Sequence, residues 1–274
     1  MTTYNHESYI AQAIEGVVMQ KTNFKYELVI GEDVSQDNTR QIVKDYQKRY
    51  PNIIRLFLPE DNLGMVPMTK ATYSLCTGKY IAWLDGDDYW TDPFKLQKQV
   101  DFLENNPEYS FCFHKVIVIN QLQNSSAESI DPAYKEGNDT LSIEHFIQIH
   151  NPVYTLSVLH RNVLGATLPD WLFDLPYTDW GLYFILCKYG KAKYFREVMG
   201  VYRIHKGGAY SGQTNFYNFS QIVLFFKAIK KIEPVKYYSA IDRVIEYYQN
   251  ELFKIHIRKF DLIGALRNKF SRNY

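Results

Sequence analysis

Between Tyr80 and Trp90 the chain reads YIAWLDGDDYW. Three carboxylates, Asp85, Asp87 and Asp88, crowd around Gly86 where an apolar, strand-like run ends. Acids at that spacing repel one another, so the cluster is costly unless a cation or hydrogen-bond donors fill the gap. The plain alternative is an acidic turn after a strand. A second acidic pair, Glu32-Asp33, closes the apolar run YELVIGED. There an acid could equally cap the helix that follows, because helix N-termini favour negative charge.

Further along, Asp179 sits in PYTDWGLYF beside Trp180, with Asp170 and Asp174 nearby. Thr178-Asp179 also has the form of a helix-capping pair. His205 lies in VYRIHKGG between Arg203 and Lys206. A histidine there fits either a metal or phosphate contact or a satisfied structural role. Gly207 and Gly208 suit a loop that closes over a ligand. Lys70, in PMTKATYS, reads either as a solvated helix residue or as a cation facing a ligand.

The elements that must position these groups alternate in type. Residues 8–20 carry Ile10, Ile14, Val17 and Val18 at helical spacing, and 26–33 are a strand. Residues 37–50 read as a helix with Asp37 or Asn38 at its N-cap, and 52–60 as a strand. A helix over 67–80 is expected to stop at Gly78, followed by the strand YIAWLD. A helix over 92–107 has Pro93 near its first position, and SFCFHKVIVI is a fourth strand. Strand–helix alternation of this kind predicts an α/β fold with a mostly parallel sheet flanked by helices. Such sheets bind ligands beyond the carboxyl ends of their strands, which is where both acidic clusters fall. Residues 121–140 read as an exposed loop. From about residue 215 the pattern is helical, with Ile241, Val244, Ile245, Tyr248, Leu252 and Ile255 at steps of three and four.

Composition narrows the classes. The chain has 274 residues, with 31 Lys+Arg against 30 Asp+Glu, so no overall field draws it to nucleic acid. The three cysteines, Cys76, Cys112 and Cys187, lack metal-site or disulfide spacing and read as reduced thiols in a cytoplasmic protein. No apolar run reaches transmembrane length. The tail KIHIRKFDLIGALRNKF could pack on the domain, or rest as an amphipathic helix on the inner face of an anionic membrane.

Four stretches in order, TTYNHESYIAQAI, VIGEDVSQDNT, DNLGMVPMTKA and GKYIAWLDGDDYW, resemble the family 2 glycosyltransferases of the Rossmann-like GT-A type. The likeness runs from residue 2 to about residue 208. It implies a transferase unit over 1–212 and a C-terminal helical extension over 213–274. It implies that Thr3, Tyr4 and Asn5 border the nucleotide base, that Asp33 bonds the base edge, and that Lys70 faces the nucleotide. By the same resemblance Asp85 and Asp87 serve the ribose and diphosphate. Asp87, Asp88 and His205 hold a divalent metal, Mn²⁺ or Mg²⁺, and Asp179 is the catalytic base. The implied partners are a nucleotide-sugar donor, a UDP-sugar first, and a glycan or lipid-linked acceptor in bacterial surface-polymer assembly. A relative that binds such ligands without turnover is the competing reading. A nucleotidyltransferase would need a glycine- and basic-rich phosphate loop near the N-terminus, which this sequence lacks.

One departure stands out. The family has a hydrophobic strand before its TYN motif, whereas here only Met1 and Thr2 precede Thr3. The expectation is a polypeptide that starts upstream of Met1, or a sheet damaged at its centre.

Overall fold

The computed structural model describes residues 1–129, 139–148, 151, 153–208, 210 and 212–258. Its first half alternates as the sequence pattern predicts. The elements run β1 (Thr2–Thr3), α1 (Ile10–Val18), β2 (Leu28–Glu32), α2 (Thr39–Arg49), β3 (Ile54–Phe57), α3 (Met65–Ser74) and β4 (Tyr80–Ala82). Then come β5 (Tyr89–Trp90), α4 (Lys95–Asn105), β6 (Tyr109–Asn120), β7 (Ser125–Glu128), β8 (Thr140–Leu141) and α5 (Ile143–Gln148). The second half adds β9 (Leu159–Arg161), α6 (Thr178–Leu186), β10 (Lys191–Ile204), α7 (Asn215–Ile232) and α8 (Tyr238–Arg258).

The principal strands run the same way. β1, β2 and β3 pair in parallel, and a parallel bridge between Thr2 and Asp85 carries the sheet across to the β4 segment. β4 and β6 each run antiparallel to β9 between them, so they are parallel to one another. The longest pairing, β6 with β10, is also parallel, from Tyr109–Lys191 to Asn120–Ile204. β5, β7, β8 and β9 are the short antiparallel additions. The fold is thus α/β around a central, mostly parallel sheet with flanking helices.

Among the described residues, Thr2–Thr3 is what lies between β2 and residue 85 in the sheet, and the Met1 amine donates to the Val29 carbonyl at 2.9 Å. Burial lowers the pKa of that amine, while the Asp85 carboxylate partly opposes the shift. Two helix boundaries differ from their sequence signals. α3 stops at Ser74 with Leu75 as its C-cap, four residues short of the Gly78 expected there. Gly78 instead meets the backbone of Tyr80, where an added Cβ would lie 2.7 Å from the carbonyl oxygen. α4 begins at Lys95 rather than near Pro93, because the Asp92 carboxylate takes the Phe94 amide at 2.8 Å and holds 92–94 as a turn.

Two apolar cores flank the sheet. One joins α1, α2 and α4 through Ile10, Ile14, Val43, Leu96 and Leu103. The other joins α5, α6, α7 and α8 through Phe146, Tyr183, Phe225, Phe226 and Ile241. The expected C-terminal helices therefore share a core with α6. Residues 130–138, within the expected loop, and 259–274, most of the basic tail, lie outside the described residues. All three cysteines are free. Among the described residues no helix is long and apolar enough to cross a membrane.

Candidate functional site

The carboxyl ends of the parallel strands meet at one edge. β1 delivers Thr3, β2 delivers Glu32 and Asp33, the β4 segment delivers Asp85 to Asp88, and β10 delivers Arg203 and His205. The DGDD turn is fixed from several sides. Thr2 Oγ1 donates to Asp85 Oδ1 at 3.2 Å, and the Gly86 amide donates to the Thr2 carbonyl at 3.0 Å. Gly86 has no room for a side chain, since a Cβ would lie 2.5 Å from Thr3 Oγ1. The Arg203 amide donates to Asp88 Oδ1 at 2.8 Å. Its guanidinium bonds the Asp87 carbonyl and Gln12, and lies over the rings of Tyr9 and Tyr89 at 5.1 and 4.4 Å.

The three acids differ in what faces them. Asp87 Oδ2 lies 3.0 Å from His205 Nε2 and 3.8 Å from His6 Nε2. Burial pushes Asp87 up, but the His205 hydrogen bond and the two imidazoles outweigh it and hold the carboxyl below its usual range. Asp85 is raised, first by burial and then by the charge of Asp87. Burial, with Asp87 again adding to it, raises Asp88 well above the ordinary range. Without a countercharge the cluster favours one ionised acid over three, the frustration that its spacing foretold.

Around the base-side loop, Asn5 and Val34 both have positive φ, 55° and 58°. They are held there because Asn5 Oδ1 accepts the Gln36 amide at 2.8 Å and Ser35 Oγ accepts the Asn5 amide at 2.9 Å. A β-branched valine in that region is strained, and such strain collects at functional loops. Tyr4 is 43% exposed, with its ring open to a stacking partner. Asp33 does not cap α2. Its two oxygens take the amides of Leu63 and Gly64 at 2.7 and 2.8 Å and anchor the start of α3. Glu32 is supporting structure, paired with Arg40 and accepting the Ser35 amide at 2.6 Å. Lys70 is engaged elsewhere, in an exposed pair with Asp170 at 2.5 Å.

Asp179 opens α6, whose N-cap position, Tyr177, makes no side-chain cap. The Asp179 carboxylate accepts Thr155 Oγ1 at 3.1 Å, and the Trp180 amide faces it as well. Burial raises its pKa against those donors. The negative charge of Asp179 is felt at Asp85 and at the buried Tyr183 phenol. Asp179 therefore lies within electrostatic range of Asp85. Trp180 is tilted against Tyr177 with centroids 4.7 Å apart. His205 Nδ1 accepts the Gly207 amide at 3.2 Å, so its Nε2 carries the proton donated to Asp87.

The sequence reading missed His6 and Thr155. His6 was visible in TYNHE next to the resemblance motif. Thr155 carried no local signal, because it reaches Asp179 only through tertiary folding. Whether the acids fit a dication can be judged from the donors. Asp87 offers a carboxylate, Asp88 keeps an oxygen beyond its Arg203 bond, and His205 would ligate through Nε2 only after giving up the proton it donates to Asp87. Among the described residues no set of three His, Cys, Asp or Glu side chains closes around a point. A Mg²⁺ or Mn²⁺ that takes few protein ligands would be held there by the Asp87 and Asp88 carboxylates and would supply countercharge to a diphosphate.

Comparison with known proteins bears on the fold and the family. An uncharacterized protein of Mycobacterium tuberculosis is 34% identical over 221 residues, covering 78% of this chain and 62% of its own length. This chain thus spans less than two thirds of that relative. Staphylococcus aureus TarS, solved with UDP-GlcNAc, superposes with a TM-score of 0.65 at 17% identity, over 92% of this chain and 71% of TarS. The mannosyltransferase PcManGT of Pyrobaculum calidifontis, solved with GDP-Man and Mn²⁺, gives 0.62 at 15% identity, over 97% of this chain and 72% of that one. The model of glycosyl transferase family 2 matches residues 1–166. Spanning more than half of the sequence, the match includes Thr3, Asp33 and the DGDD turn, and the chain belongs to that family.

Proposed function

We propose that this glycosyltransferase is inverting and metal-dependent, and moves a sugar from a nucleoside-diphosphate donor, a UDP-sugar first, to an acceptor hydroxyl. The carrying observation is the Asp85–Asp88 turn, with Asp87 between His205 and His6 and Asp179 within electrostatic reach of Asp85. Tyr4 stacks on the base, Asn5 and Thr3 border it, and Asp33 meets its edge while holding Leu63 and Gly64. Asp85 faces the ribose. Asp87, His205 and the open oxygen of Asp88 would hold the metal. Bound there, Mn²⁺ or Mg²⁺ neutralises the diphosphate and stabilises its departure. Asp179 takes the proton of the attacking hydroxyl, and attack from the face opposite the leaving group inverts the anomeric carbon, so one base suffices. Trp180 and Tyr177 offer an apolar face for the acceptor sugar. Lys70 reaches the nucleotide only after releasing Asp170. Residues 1–212 form the transferase unit and the helices from 213 buttress it. The acceptor is a growing surface glycan or lipid-linked sugar, met in the cytoplasm or at the inner membrane face.

A thermal-shift series tests the donor reading. UDP with Mn²⁺ at about 100 times its Kd should add about 2.7 kcal/mol of stability. For a chain of this size that raises Tm by roughly 5–10 °C, and either component alone gives much less. Burial and the charge of Asp87 raise Asp85 and Asp88, and a dication beside them would favour their ionised forms, so the shift should grow from pH 5 to pH 8. An equal shift with UDP alone, flat with pH, would remove the metal from the account.

A further inference from the structure

The proposed base is held by a turn that no sequence motif marks. Residues Thr155–Ser157 form a short 3₁₀ turn just before β9. Its three residues are fastened separately. Thr155 Oγ1 donates to Asp179 Oδ2 at 3.1 Å. The Leu156 carbonyl accepts the Trp90 indole N–H at 2.8 Å, and the Ser157 carbonyl accepts Gln99 Nε2 at 2.9 Å. Leu156 and Ser157 are completely buried. Gly200 permits their approach, because a Cβ there would come 2.6 Å from Leu156 Cδ1. Trp90 lies two residues after Asp88, so the turn that steadies Asp179 is pinned to the strand that follows the acid cluster.

We propose that Thr155 is a positioning residue for the reaction: its hydroxyl, set in place by the Trp90-anchored turn, orients the Asp179 carboxylate toward the acceptor. The inference rests on the reading of Asp179 as the base. A hydroxyl has one proton to donate, and here it goes to the carboxylate. The Tyr183 phenol also lies within hydrogen-bond reach of Thr155, and can donate to the lone pairs left on Oγ1. The ionisable groups facing Asp179 are Asp85 from the β4 segment, Tyr177 before α6 and Tyr183 within it. None of these is a cation, so the Trp180 amide, the Thr155 hydroxyl and the amide of Asp179 itself are what favour the ionised form.

The test is the titration of Asp179 itself, followed by NMR of side-chain carboxyl carbons in protein labelled with ¹³C-aspartate and assigned with Asp179→Asn. Thr155→Val keeps the shape and removes the donor, so the Asp179 midpoint should rise by roughly one pH unit. Thr155→Ser should restore it. Trp90→Phe frees the turn without touching Asp179 and should move the midpoint in the same direction, by less. If Thr155→Val misfolds, the Ser and Phe variants still carry the comparison. An unchanged midpoint in Thr155→Val, or in Trp90→Phe where Val misfolds, overturns the proposal. Hydrolysis of UDP-glucose or UDP-GlcNAc by Asp179→Asn separates the two claims: full turnover there removes the base reading, whatever the titration shows.

Discussion

Asp179→Asn should lower sugar transfer by about 10²–10⁴-fold while leaving donor binding intact. The amide keeps the volume of the carboxylate and can still accept from Thr155 Oγ1, so α6 and its core should hold. What it cannot do is take a proton from an acceptor hydroxyl. The pH profile of the wild type adds a sign. Burial raises the Asp179 pKa, and the base works only when ionised. Activity should therefore fall as pH drops through that raised pKa, and climb to a plateau above it. The check is initial rate against pH for both proteins, with the UDP·Mn²⁺ thermal shift as the binding control. A variant that binds but does not turn over supports the mechanism. A wild type that binds donor and never turns it over would instead favour a binding module.

The second large effect lies away from the chemistry. Lys95 is completely buried at the start of α4, with Nζ 2.7 Å from Gln99 Oε1 and 4.1 Å above the Trp90 ring. Among the described residues no carboxylate pairs with it. Burial depresses its pKa to about 7. Between that value and the ordinary lysine range the unfolded chain holds one proton more than the folded chain. Stability therefore rises with pH across this window, by about 1.4 kcal/mol per unit. Lys95→Met should lose that slope. Urea unfolding at pH 7 and pH 9 should show the wild type gaining about 2–3 kcal/mol more than the variant over the interval. At pH 7 the variant sheds a buried charge but leaves Gln99 Oε1 without its donor, so its own stability changes less than the slope does. Parallel pH dependence in the two proteins would mean that the amine finds a charge partner or water.

What the sequence made legible follows the physics of each signal. Strands β2, β3, β4 and β6 and helices α1 to α4 were readable because apolar periodicity and short connections are local properties, as in α1 with Ile10, Ile14 and Val17. The DGDD turn was readable because crowded like charges at a strand end have few structural uses. β10 was not. Its run KAKYFREVMGVYRI mixes charges with apolar residues, and only pairing with β6 makes it a strand. β9 and β5 are too short to announce themselves. The glycine rule placed the end of α3 at Gly78, but that glycine serves a close backbone approach instead. At the site, the alternatives left open for Asp33 and Asp179 turned on partners distant in sequence: Leu63 and Gly64 for the first, Thr155 for the second. No local pattern encodes those contacts.

The central claim is electrostatic: the acids at the sheet edge are tolerated because a dication and a diphosphate complete them. The most direct measurement is anomalous diffraction from crystals grown with UDP and Mn²⁺. The account predicts a manganese peak about 2.0–2.5 Å from an Asp87 oxygen, with His205 or Asp88 as a second ligand and the diphosphate bridging the ion. A peak elsewhere, or UDP bound at the sheet edge with no ion beside Asp87, would contradict it.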